Sequence, residues 1–209
     1  MIKVAIADDH PIVLQGIRQL LSAEPGIEVV AEASSAHEVL ELLDKTDVDV
    51  VILDISLPDR SGLEVLDIIK VRNNKTHVLV LSAFPEEQYA IRALKSGASG
   101  YMTKNSAPKE LIDAVRKVSR GGKYVSSILA EKLAGILTSD NVLPHENLSN
   151  RELQIMLMIA SGKTTGEIAR NLFISTSTVG TYRMRIMEKM QVKTNTELVR
   201  YAVEKRLIN

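Results

Sequence analysis

The chain has 209 residues, 45% apolar and 25% charged, with 26 basic side chains matched by 26 acidic ones and no cysteine. That is a globular composition, long enough for one or two domains, and it excludes disulfide scaffolds and thiolate metal centres. No stretch approaches the roughly 18 uninterrupted apolar residues of a membrane span, and the first residues reach charge too early for a signal peptide's apolar core, so a cytoplasmic protein away from membranes is expected.

From the first residue to Gly122, strand and helix signals alternate. The runs Ile2–Ala7, Glu28–Ala33, Asp49–Asp54, His77–Ser82 and Ser99–Lys104 are short and β-branched, as buried parallel strands are. Between and after them, helical spacing covers Pro11–Ala23, Ala36–Lys45, Gly62–Arg72, Glu86–Ser96 and Ala107–Arg120. The alternation predicts an α/β doubly wound, five-stranded parallel sheet over residues 1–122. Gly121-Gly122 ends the last of these helices. Residues 123–147 then read as a linker, with a short helix over Ser126–Thr138 and a flexible tether over Ser139–Asn147.

From Leu148 to the end the signals are all helical, predicting an all-α domain of four helices: Asn150–Ala160, Thr165–Leu172, Thr176–Met190 and Asn195–Lys205. Three capping boxes support them, pairing Ser149 with Glu152, Thr164 with Glu167 and Thr194 with Glu197, and Ser175 supplies a fourth N-cap. Charge divides along the same line. Through Gly122 there are 14 Lys and Arg against 18 Asp and Glu; from Lys123 onward there are 12 against 8. An acidic front and a basic back suggest modules with different partners.

In a doubly wound sheet the carboxyl ends of the strands form the ligand crevice. Five groups of this chain fall there: Asp8, Asp9, Asp54, Ser82 and Lys104. Three clustered carboxylates raise one another's pKa unless a cation compensates, and oxygen donors favour Mg²⁺. Asp54, at the tip of the central strand, is the best-placed carboxylate nucleophile, able to form an aspartyl phosphate. Lys104 and the cation would neutralise the phosphoryl oxygens, and the Ser82 hydroxyl would donate to one of them. His10, beside the acidic pair, is expected at the rim with no chemical role.

Residues 1 to about 122 resemble the receiver domain of two-component response regulators. The resemblance is carried by Asp8-Asp9, the Asp54-Ile-Ser-Leu-Pro58-Asp-Arg-Ser-Gly62 segment, Ser82-Ala83, and Tyr101 three residues before Lys104. It implies strand order 2-1-3-4-5 and phosphoryl transfer from a sensor histidine kinase to Asp54. It also implies Mg²⁺ held by Asp9, Asp54 and the Ser56 carbonyl with Asp8 nearby, and a switch in which Ser82 moves toward the phosphoryl group and Tyr101 turns inward.

In the helical module, Thr165–Leu172 and Thr176–Met190 form a helix-turn-helix pattern. On the second helix Val179, Tyr182, Ile186, Met187 and Met190 share one face, and Ser177, Thr181, Met184, Arg185 and Glu188 the opposite one. From Asn147 onward 10 basic residues face 5 acidic ones, the right sign for phosphate binding. Leu148-Ser-Asn-Arg-Glu-Leu, Ile159-Ala-Ser-Gly-Lys, Glu167-Ile-Ala, Ile174-Ser-Thr-Ser-Thr-Val179 and Glu197-Leu-Val-Arg-Tyr-Ala202 resemble the LuxR-type DNA-binding domain, and the whole chain resembles a NarL/FixJ-family response regulator. This implies a sequence-specific transcriptional regulator rather than an enzyme, bound to double-stranded promoter DNA as a homodimer, with RNA polymerase a further candidate partner. By position Gly180, Thr181, Met184 and Arg185 would face bases, and Lys163, Thr164, Ser175 and Arg183 phosphates, with Ser177 on the same exposed face. Asn195–Lys205 would be the dimer surface. Gly180 stands where many members carry lysine.

Two other readings compete on the residues alone. A Mg²⁺ phosphohydrolase or a flavin protein can use the same sheet, but a flavin site calls for a hydroxyl- and glycine-rich phosphate loop where this chain has Asp8-Asp9. A protein-binding helical module can present the same polar face without touching DNA.

Overall fold

The computed structural model describes residues 1–72, 75–136 and 143–208, which form two compact units, Met1–Gly135 and Ile136–Asn209.

The first unit is one parallel sheet in the order β2-β1-β3-β4-β5, built from β1 (Ile2–Ala7), β2 (Ile27–Ala33), β3 (Val50–Leu53), β4 (His77–Ser82) and β5 (Gly100–Thr103). All four residues of β3, Val-Val-Ile-Leu, are buried, as befits a strand with neighbours on both edges and helices on both faces. The side-chain alternation of a strand then sorts the core. Val4, Ile6, Val50, Ile52, Leu79, Leu81 and Met102 share one cluster with Ile17 and Leu21 of α1 (Pro11–Ser22) and with Leu111, Ile112 and Val115 of α5 (Pro108–Val118). The intervening residues, Ala5, Val51, Leu53, Val78, Val80 and Tyr101, are buried too. Their face belongs with α2 (Ala36–Lys45), α3 (Gly62–Arg72) and α4 (Glu86–Lys95), whose Val39, Leu63, Leu66, Ile69, Tyr89 and Ala93 are all buried.

Local chemistry sets the helix starts around the carboxyl ends of the strands. Pro11 and Pro108 occupy first-turn positions, where a missing N–H leaves no bond unmade. Ser35 caps α2, and Asp59, from the loop after β3, accepts the Ala36 and His37 N–H groups at 2.8 and 2.9 Å. That clip holds the loop following Asp54 against the N-terminus of α2.

The linker expectation needs a correction. Tyr124 bridges Gly100 beside β5, the Ser126 hydroxyl donates to Glu86 at 2.5 Å, and Leu129 is buried, so the chain from 123 into α6 (Ser127–Ile136) belongs to the first unit. Residues 137–142, which hold the end of the expected helix and the start of the tether, lie outside the described residues. Pro144–Asn147, read as tether, is a 3₁₀ turn whose His145 shares a 2.8 Å hydrogen bond with the Tyr201 hydroxyl. Other element ends shift by one or two residues.

The second unit packs α7 (Asn150–Ala160) against α8 (Thr165–Asn171), α9 (Thr176–Met190) and α10 (Asn195–Glu204). The capping boxes at Ser149 and Thr164 close as expected. The third is half formed: Thr194 caps the Glu197 N–H, but the Glu197 carboxylate accepts from Lys193, one residue earlier. Between α8 and α9 the chain turns through Phe173 in the left-handed region (φ 52°), letting the Ile174 N–H reach the Ala169 carbonyl at 3.0 Å.

One glycine ties this frame to the acidic crevice. The Gly62 N–H donates to the Ile55 carbonyl at 2.8 Å, and a Cβ at Gly62 would lie 2.0 Å from the Asp54 carbonyl oxygen. Backbone must therefore move to admit any side chain. Gly62→Ala is expected to destabilise the first unit by at least the roughly 1–3 kcal/mol of core overpacking. Urea unfolding followed by circular dichroism measures it, and a change within about 0.5 kcal/mol, typical of unconstrained surface sites, would contradict this packing.

Candidate functional site

Four strand ends meet at the acidic crevice. Ala7 pairs with Leu53 across β1 and β3, so Asp8 and Asp54 follow side by side; Ser82 pairs with Thr103, which puts Lys104 one residue beyond. Asp54 and Asp8 are almost out of water, at 1% and 2% exposure, whereas Asp9 is exposed. The Lys104 ammonium bridges the two buried carboxylates, 2.6 Å from Asp8 Oδ2 and 2.7 Å from Asp54 Oδ2. Asp54 Oδ1 has no hydrogen-bond partner.

Burial pushes the Asp54 carboxyl above the ordinary carboxylate range. The Lys104 ammonium and the Ser56 backbone N–H pull it down, and Asp8 pushes it up again. Burial by itself would lower the Lys104 ammonium, but its bonds to Asp54 and Asp8 outweigh that and hold it above its usual range. One ammonium facing three carboxylates leaves the pocket net negative. Donor atoms of Asp8, Asp9, His10 and Asp54 all lie within 4.8 Å of one another. Together with the orphaned Asp54 oxygen, this donor set fits a hard divalent cation. His10 was expected at the rim, and it is exposed there, but its ring Nδ1 lies 2.7 Å from Asp9 Oδ1 and 3.1 Å from Asp8 Oδ1.

Beside the pocket Ser82 is fully buried, its hydroxyl accepting the Phe84 N–H at 3.1 Å. Tyr101 is already inside: its ring is buried and its hydroxyl donates to the Phe84 carbonyl at 2.9 Å. Tyr89 of α4 stacks obliquely on Phe84, ring centroids 5.0 Å apart, and its buried hydroxyl has no partner. Nothing in the sequence singled out Tyr89 or Phe84.

In the second unit α9 divides as its periodicity predicts. Val179, Ile186 and Met190 are buried, and Ser177, Thr181, Arg183, Met184 and Arg185 are exposed, Met184 at 69%. Arg185 makes no ion pair among the described residues, so its guanidinium is available. Other expected contacts are already committed. Arg183 Nε donates to Asn195 Oδ1 at 3.1 Å, the Thr164 hydroxyl donates to Glu167 at 2.7 Å, and the Ser175 hydroxyl caps Thr178. At Gly180 a Cβ would meet nothing within 4 Å, so the glycine answers no packing need.

The motif Ser149-Asn-Arg151-Glu152, quoted above as a signature, has a structural job that spacing does not reveal. Buried Arg151 donates to the Leu172 carbonyl at the end of α8 and to Gln154, both at 2.9 Å. Burial would raise the Glu152 carboxyl, yet the Lys189 ammonium, 2.6 Å away on α9, and the Ser149 groups hold it below the ordinary range. Two neighbouring charged residues of α7 thereby fix where α8 and α9 lie.

Comparison with known proteins agrees with this geometry. Residues 4–116 match the response regulator receiver domain, and residues 146–202 match the luxR family of bacterial regulatory proteins. The chain is 36% identical over 211 residues to the response regulator UvrY of Escherichia coli, covering all of this chain and 97% of UvrY. It is 35% identical over 211 residues to the transcriptional regulatory protein LiaR of Bacillus subtilis, covering both chains completely. Among solved structures, the RcsB response regulator of Salmonella typhimurium superposes with a TM-score of 0.71 at 27% identity, over 98% of each chain. RcsB from Salmonella enterica serovar Typhimurium bound to promoter rprA with the phosphomimetic BeF₃⁻ superposes at 0.67 with 28% identity, over 96% of this chain and 98% of that one. No helix among the described residues is long and apolar enough to cross a membrane.

The raised Asp54 carboxyl has a signed consequence. A folded-state pKa above the unfolded one makes the ionised side chain a liability at neutral pH and a neutral one below the unfolded value, near 3.9. Asp54→Asn is therefore expected to raise the thermal midpoint at pH 7, with the gain fading as pH falls toward that value. Added Mg²⁺ should raise the midpoint of the unaltered protein more than that of the variant. Differential scanning fluorimetry across pH reads both effects; equal midpoints at pH 7 would count against the strained carboxylate.

Proposed function

Because the chain belongs to the NarL/FixJ family of two-component response regulators, with a receiver domain ahead of a LuxR-type DNA-binding domain, we propose that Asp54 is its phosphoacceptor and that phosphorylation controls how α9 engages promoter DNA. The observation that carries the first half is the unpartnered, buried Asp54 Oδ1 beside the Lys104 ammonium. An Asp54 oxygen attacks the phosphorus of a sensor kinase's phosphohistidine; the O–P bond forms as the N–P bond breaks, and the imidazole leaves. Lys104 sits where it can offset charge on the transferred group, and the Ser82 hydroxyl can donate to one of its oxygens. Mg²⁺ would be held by Asp9, Asp54 and the Ser56 carbonyl with Asp8 alongside, and supplies neutralisation of the phosphoryl oxygens when bound. Transfer to the protein's own side chain, rather than turnover of a small substrate, is the chemistry assigned.

For the second half, α9 lays its exposed face into the major groove. Arg185 and Met184 address base edges, with Thr181 and Ser177 at the N-terminal side. Lys163 and the N-termini capped by Thr164 and Ser175 face phosphates; Arg183, tied to Asn195, orients the start of α10 as much as it reaches DNA. The α10 face, with exposed Val203, joins a second copy on a two-fold site in the cytoplasm. That Salmonella RcsB is bound to promoter rprA in the presence of the phosphomimetic BeF₃⁻ supports reading this chain as a promoter-DNA binder.

The test uses the full chain treated with acetyl phosphate and Mg²⁺, and a random duplex pool enriched by selection. Treatment should enrich a two-fold-symmetric site, bound with affinity that falls as salt rises. Asp54→Ala should bind without responding to acetyl phosphate. Arg185→Ala should lose roughly 1–3 kcal/mol of discrimination at one base position per half-site. Salt-insensitive or absent DNA binding, or a full response by Asp54→Ala, would contradict the assignment.

A further inference from the structure

Phe173, in the turn between α8 and α9, runs against two rules at once. Its large apolar side chain is 75% exposed, between buried Leu172 and half-buried Ile174. Its backbone is also left-handed, at φ 52°, where the Cβ of a bulky residue crowds the carbonyl oxygen. Among the described residues the other left-handed positions go to Gly26, Gly97, Gly121 and Gly162, or to exposed Gln191 and Arg206, whose polar heads water accepts. Phe173 alone puts an apolar ring in such a place. The folded unit gains nothing from it, since the ring lies outside the core and glycine would relieve the backbone.

What surrounds the ring narrows its occupant. From Ile168 to Met187 the chain carries Arg170, Arg183 and Arg185 and no acidic residue. Ser175, Thr176 and Ser177, at the start of α9, are exposed two to four residues on. Ile174 holds the position before the N-cap, where an apolar residue packs back on the fourth helical residue, here buried Val179. Its neighbour Phe173 is left facing out. A protein interface takes roughly 800 Å² from each partner, far more than one ring among hydroxyls and guanidinium groups supplies. Duplex DNA offers the complementary surface, with phosphates for the hydroxyls and cations and the apolar faces of deoxyribose between them.

We infer that Phe173 is a DNA-backbone contact: its ring covers a deoxyribose at the rim of the groove that α9 enters, seating the start of that helix against the adjoining phosphates. This rests on reading the second unit as a DNA-binding module, and it adds a contact that is apolar and indifferent to sequence. The residue trades fold stability for affinity. That trade has a signature no packing residue shares, because replacing the ring with glycine should stabilise the unit and weaken the complex.

The test uses the full chain, treated with acetyl phosphate and Mg²⁺ and titrated by fluorescence anisotropy against the selected duplex and a random one over a range of salt. Phe173→Gly should bind both about 10-fold more weakly, the scale of uncovering part of one aromatic ring, with the slope of log affinity on log salt unchanged. Lys163→Ala, at a phosphate candidate, should instead lower that slope by about one. Phe173→Leu should stay within about threefold of the unaltered protein, since it keeps apolar bulk. Calorimetric unfolding of Phe173→Gly should show the midpoint of the helical unit raised by roughly 2–6 °C. A lowered midpoint would make the ring a packing residue and overturn the inference. So would unchanged affinity, which would leave the ring for a protein partner, or a loss confined to the selected duplex, which would make it a base reader. If the unaltered protein binds neither duplex, the DNA-binding reading itself falls; if it binds both and Phe173→Gly binds them equally well, only this contact does.

Discussion

The carboxylate of Asp54 sits nearly out of water at the end of the central strand, with one oxygen on the Lys104 ammonium and the other on nothing. Removing a charge from water is expensive, and a single cation shared with Asp8 offsets only part of it. The surrounding structure keeps that imbalance in place. Parallel registry puts Asp8 and Asp54 at adjoining strand ends, with Lys104 across β4 at the end of β5; Gly62 leaves no side chain to push the Asp54 backbone; Asp59 clips the following loop to α2. A fold whose interior could relax would let the carboxylate find water or a second donor. Held as it is, it is open to a ligand that supplies positive charge and, on the function proposed above, to a phosphoryl group carried as an acyl phosphate.

The same pocket reaches outward through short steps. Lys104 donates its backbone N–H to the Ser82 carbonyl, the Ser82 hydroxyl accepts from Phe84, and the Phe84 carbonyl accepts from Tyr101. Tyr89 of α4 packs on the Phe84 ring, and its buried hydroxyl has no partner. The 82–84 loop therefore touches the pocket, β5 and α4 at once.

Much of this was legible in the sequence because it rests on short-range rules. Strand alternation gave the five strands, hydroxyl-to-carboxylate spacing gave two of three capping boxes outright, and the periodicity of α9 sorted its buried residues from its exposed ones. What escaped was long-range or shared. Arg151 reaches a carbonyl 21 residues away, Glu152 serves a cap and Lys189 at once, and Glu197 closes on Lys193 instead of Thr194. Spacing cannot reveal which of two nearby N–H groups a carboxylate will choose. Nor does it show that Tyr124 and Leu129 are bound into the first unit, since a bridge beside β5 leaves no periodic trace.

The most direct test is where a phosphoryl group lands. After treatment with acetyl phosphate and Mg²⁺, borohydride reduction converts an aspartyl phosphate into homoserine, and peptide mass spectrometry reads its position. The account predicts homoserine at residue 54 alone. Homoserine at residue 8 or 9, or none at residue 54 in protein that has taken up phosphate, would contradict it.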